Sequence, residues 1–233
     1  MNIPSIEFLG VVILWPLTVM SNLLLAVLCV FLYRQMSRAA VPAAATARNS
    51  YWARFFLFLA IVTLAGAIKH GFHNYPGVLY GSAVLVSCLA SGAATACAQL
   101  ATVETFVLRK NTRFFLRLAI YLQLAVFLAI GTIADGFLVA VANSALGLMP
   151  VLLANIVTWR FAYAGSGWIA AGLLLSFLTG LIYVFQLSIG PWFTHFDISC
   201  IVMMVSLLLI GSGINRHPRA HCFLQRKTLA EMN

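Results

Sequence analysis

Charge is what this sequence has least of, and negative charge least of all. Among 233 residues, Asp and Glu total 5 against 14 Lys and Arg, and charged residues of both signs make up 8%. So little charge cannot hydrate the surface of a soluble domain of this size. With 63% hydrophobic residues and a mean hydropathy of +1.00, the bilayer is the solvent to reason in. Cysteine is sparse as well: Cys29, Cys88, Cys97, Cys200 and Cys222 form no CxxC pair and read as small core residues. Ten-residue alternating segments are missing, which excludes a membrane β-barrel. Internal repeats are missing too, and with them the inverted-repeat signature of many transporters.

What is present is a series of long apolar runs. A spanning helix needs roughly 20 apolar residues, and seven segments qualify: Phe8–Tyr33, Phe55–His73, Val78–Leu108, Phe114–Ala134, Phe137–Trp159, Gly167–Leu187 and Phe193–Ile214. Backbone groups in hydrocarbon must be satisfied within their own segment, so the expected fold is an all-α, seven-helix membrane bundle over residues 1–214. A short basic tail, 215–233, follows. The first span reads as a retained helix or signal anchor, and the alanine-rich run after Val41 as a flexible connector.

Basic residues occupy every second gap: Arg34, Arg38, Arg48 and Arg54, then Arg109, Lys110, Arg113 and Arg117, then Arg160, then the tail. Only Lys69 falls on the other side. The positive-inside rule therefore predicts an outer N-terminus and a cytoplasmic C-terminus, in agreement with an odd number of spans. The formal net charge of +9 is explained as topology and attraction to lipid headgroups, and a nucleic-acid partner is rejected.

Polar residues inside a membrane are costly and carry the functional signal. Under this topology His70 and His73 close the second helix, Asp135 closes the fourth, and the seventh opens with Thr194-His195-Phe196-Asp197-Ile198-Ser199, all at the outer level. His70 and His73 share a helical face, as do His195 and Ser199, whereas Asp197 points elsewhere around the helix. Either His195 faces inward with Ser199, or Asp197 does with Cys200 or Ile201. Three histidines from two helices can hold Zn²⁺, with an Asp to orient a ligand or act as general base. The same groups can instead form an interfacial hydrogen-bonded network without a metal. His70 and His195, on different helices at similar depth, could also be the two ligands of a b-type haem, although bundle haem sites usually sit deeper.

Elsewhere, Glu104 is expected to pair with Arg109 or another basic neighbour. Gln99, Gln123, Asn143, Asn155 and Gln186 are expected to bridge helices, Pro16 and Pro150 to kink them, and the segment SCLASGAATACA to give a small-residue packing face. His217 and His221 read as solvated.

The order of these elements resembles the CREST superfamily, the seven-helix membrane proteins that include alkaline ceramidases and the adiponectin-receptor type. His70, in GAIKHGFHN, looks like its first metal ligand, and His195, in FTHFDISCIVMMVSLLLIGSG, like the first His of its HxxxH. The segments PLTVMSNLLLAVLCVFLYRQM, KHGFHN and THFDIS look like a bacterial branch of such proteins. Three departures stand beside the likeness: Ser199 replaces the second His, Gly66 replaces the expected Ser, and no Asp or Glu lies between His73 and Glu104.

The resemblance implies a zinc-dependent, membrane-embedded hydrolase of a lipid amide or ester, in a bacterial inner membrane. His70, His73 and His195 would hold the metal, with Asp135 and Asp197 as catalytic groups. A degenerate relative without metal is equally compatible. The competing expectation is a non-enzymatic membrane subunit or scaffold binding lipids or partner helices through its helix faces, and a third is the haem protein.

Overall fold

The computed structural model describes residues 4–8, 11–39, 43–75, 77–133, 136–190 and 192–231. Seven long helices account for most of it: α1 Pro16–Arg38, α2 Ala43–Gly71, α3 Val78–Phe106, α4 Lys110–Ile133, α5 Gly136–Arg160, α6 Ser166–Val184 and α7 His195–Glu231. Each contains a stretch long and apolar enough to cross a membrane.

Two short strands precede them, a departure from the expected first span at Phe8. β1 (Ser5–Phe8) pairs antiparallel with β2 (Val11–Leu14), Ile6 facing Ile13 and Glu7 facing Val12. β-branched Val11, Val12 and Ile13 suit a strand. The helix starts here because Pro16 disfavours the helical conformation at Trp15. Trp15 adopts φ 44°, and Pro16 takes the first helical turn, where its missing N–H costs nothing. Pro16 thus begins a helix and does not kink one.

Two other boundaries move. The Ala-rich run expected as connector is helical from Ala43 onward. α7 continues beyond the membrane stretch to Glu231, so the tail extends the last helix; the side chains of His217, His221 and the rest of that extension lie outside the described residues.

The core is built mainly from α1, α2, α3, α5, α6 and α7, with Phe56, Met36, Leu173, Leu207 and Ile210 among its most buried side chains. α3 is central: Ala94, Ala98 and Ala101 lie in the core and the ring of Phe127 packs on Gly92, so the predicted small-residue face is used. α4 is peripheral and exposes Phe114, Phe115, Leu118 and Leu122. It is tied inward by an amide chain, Gln99 Nε2 donating to Gln123 Oε1 at 3.0 Å and Gln123 Nε2 to Asn143 Oδ1 at 3.0 Å. That chain joins α3, α4 and α5 as expected. Asn155 instead donates to Val151 O in its own helix, and Gln186 sits after α6 at φ 51°.

Candidate functional site

Alternation of helix direction brings the end of α2 and the starts of α1, α3 and α7 to one face of the bundle. There the histidines meet aromatic rings. Trp15 contacts His70, with centroids 6.1 Å apart, and His73, at 5.6 Å. Phe196 contacts His70 at 4.4 Å and His195 at 4.0 Å. His73 lies in the turn after α2, exposed, against Tyr80. His195 turns toward the α6–α7 connection, where Tyr183 meets its ring at 5.4 Å and Ser188 Oγ lies 3.4 Å from Nδ1. Its backbone N–H donates to the same hydroxyl at 2.9 Å.

The hairpin packs over this layer. Val12 N–H donates to Tyr75 Oη at 3.1 Å, and a side chain at Gly71 would meet Val19 and Ile13. The end of α2, which carries His70, therefore lies under β2.

Asp197 takes the inward position that the sequence left open between it and His195. It is 0% exposed. Its Oδ2 accepts from Thr194 N–H at 2.8 Å and Thr194 Oγ1 at 2.9 Å, and its Oδ1 accepts from Ser21 Oγ of α1 at 3.2 Å. Thr194-x-x-Asp197 is thus a form of capping box: the N3 carboxylate satisfies the backbone N–H at the head of α7. Three donors, one of them from another helix, make the buried carboxylate tolerable in an apolar interior. On the other side of α7, Ser199 Oγ donates to Thr179 O of α6 at 3.3 Å.

Two positions at which the sequence departs from the resembled motif have partners of their own. Ser199, where a second His would stand, hydrogen-bonds to α6. Gly66, where a Ser would stand, lies against Asn22, whose Oδ1 would be 3.0 Å from an added Cβ. Metal ligation needs imidazole lone pairs converging on one point, whereas His70, His73 and His195 are held mainly by ring contacts. Among the described residues no group of three or more His, Cys, Asp or Glu is placed to hold a metal ion. The described donors do not fit a zinc site; Asp135 lies outside the described residues.

At the opposite end, Glu104 pairs with Arg113, 3.3 Å away, and with Arg117, two of the basic neighbours that the expectation admitted beside Arg109. Arg113 also donates to Val107 O, closing the α3–α4 corner.

Sequence reasoning missed Trp15, Phe196, Tyr183 and Ser21. Trp-Pro at a helix start and the T-x-x-D spacing were the available signals. No curated protein and no solved structure matches the chain. A family model matches residues 17–218, from the first turn of α1 to just past the membrane stretch of α7, and the chain belongs to that family, described as the family of unknown function DUF6962.

Proposed function

We propose that the chain is a non-enzymatic integral membrane protein, N-terminus outside and C-terminus cytoplasmic, whose helix bundle binds membrane lipid or partner helices. The observation that carries this reading is the use made of Asp197. Asp197, two residues from His195, is buried, and its two oxygens take three donors that cap α7 and hold α1. Phe196, standing against both His70 and His195, fills space that a bound ion and its water would need. The alternation of basic segments supports the orientation.

Metal analysis of protein purified without chelator, beside His70→Ala and His195→Ala, tests the reading. The expected result is no stoichiometric metal, an unchanged melting temperature on chelation, and no Soret absorbance. One zinc per chain, lost on His70→Ala, would overturn it in favour of a metal-dependent hydrolase; a Soret band would overturn it in favour of a haem protein.

A further inference from the structure

Arg48, early in α2, is 4% exposed, and Nε and Nη2 both donate to Asn49 Oδ1, at 3.2 and 3.0 Å. No carboxylate among the described residues pairs with it. Glu104 is held by Arg113 and Arg117, and Asp197 lies at the far end of the bundle. A guanidinium withdrawn from water and bonded to a neutral amide leaves its charge uncompensated, which favours an anion nearby.

Two cavities flank the Arg48–Asn49 pair. The smaller, about 10 Å³, is lined by Arg48 and by Asn155, whose Oδ1 has no partner. Its size and its donor–acceptor pair suit one water. The larger, about 260 Å³, lies between α1 and α2 and is lined by Tyr33, Ser37, Asn49, Ser50 and Arg54. Because Asn49 Oδ1 accepts from Arg48, the orientation of its amide is set: Nδ2–H is the group left to donate, and the bonds from Arg48 polarise it further. Four hydroxyl residues, Thr46 among them, and the exposed Arg54 add donors, beside apolar Met36, Ala39 and Ala53.

We propose that this cavity binds the phosphate of an anionic phospholipid. A guanidinium matches two phosphate oxygens at once, and hydroxyl and amide donors can take the others. The cavity sits in the layer of Arg34 and Arg38, where headgroups lie, and basic pockets between spanning helices at such a level recognise anionic lipids. The proposal rests on the chain being a lipid-binding membrane bundle, and its test is independent of metal content and of the Soret region.

The test uses full-length protein stripped of lipid and returned to nanodiscs of phosphatidylcholine with or without phosphatidylglycerol, with bound lipid read by native mass spectrometry. Wild type should retain one phosphatidylglycerol. Arg54→Gln should weaken retention about tenfold, the loss of one charge-assisted contact, while circular dichroism stays unchanged because Arg54 is exposed. Arg109→Gln, an exposed arginine at the same end, should bind as wild type does. Equal retention by Arg54→Gln and wild type, or an equal loss in Arg109→Gln, would overturn the proposal. Inorganic phosphate forms the second arm. If it alone raised the melting temperature, with loss of that effect in Arg54→Gln, and phosphatidylglycerol were not retained, the source would be free phosphate and the lipid assignment would fail.

Discussion

Ser21 and Asp197, 176 positions apart in sequence, meet at 3.2 Å where α1 and α7 come together, and both are buried. The same carboxylate caps α7 through Thr194. Capping and docking thereby share one carboxylate: fraying of the first turn of α7 also breaks this hydrogen bond to α1. In hydrocarbon, where no water waits to replace a lost donor, that shared carboxylate ties the two helices at the histidine-bearing end of the bundle.

Asp197→Ala should therefore cost about 2–3 kcal/mol, since it removes the cap, leaves Thr194 N–H unpaired and breaks the contact with Ser21, whose hydroxyl keeps only Leu17 O of its own helix. Asp197→Asn keeps an acceptor and should cost less, and Ser21→Ala about 1 kcal/mol. Thermal unfolding in detergent checks the order. A wild-type melting temperature in Asp197→Ala would remove the coupling argument.

The α6–α7 seam depends on glycine in a different way. A Cβ at Gly172 would lie 2.6 Å from Ile210 Cγ1 and 2.7 Å from Ser206 O, and one at Gly213 would lie 2.6 Å from Ile169 Cγ1 and 2.7 Å from Gly165 O. This close approach lets Ser206 Oγ donate to Gly172 O at 2.8 Å and meet Ser176 Oγ at 2.6 Å. Gly172→Val or Gly213→Val should part the helices and cost about 3 kcal/mol. Gly180→Val, on the same helix but facing open space, should leave the melting temperature unchanged.

The sequence revealed depth better than direction. Seven spans, and the placement of His70, His73 and His195 at one level, follow from length, hydropathy and alternating helix direction, which are one-dimensional properties. Which way each side chain faces does not, because lipid and bundle core are equally apolar and hydropathy cannot separate them. Asp197 could have been assigned from Thr194 three residues earlier, since the capping box is local. Ser21 could not, because nothing in its neighbourhood encodes α7. The hairpin escaped notice because Val11–Leu14 is as apolar as the helix after it, and a short apolar run does not declare its period. The fit of Gly172 against Ile210 and of Gly213 against Ile169 is likewise tertiary: a glycine records that space is needed but not which helix needs it.

Membrane orientation yields the last prediction. Gly77 precedes α3 at the histidine-bearing end, with open space around it and an extended φ of 178°, so any side chain fits there. Asn111 opens α4 at the arginine-rich end and is exposed. The four described native cysteines are buried, so with Cys222→Ser in the background the unmodified chain should react little with a membrane-impermeant maleimide. Gly77→Cys should then label in intact cells, and Asn111→Cys only after permeabilisation, because translocating the Arg109–Arg117 segment is the step that the positive-inside rule opposes. The reverse pattern would invert the proposed orientation while leaving the helix bundle itself intact.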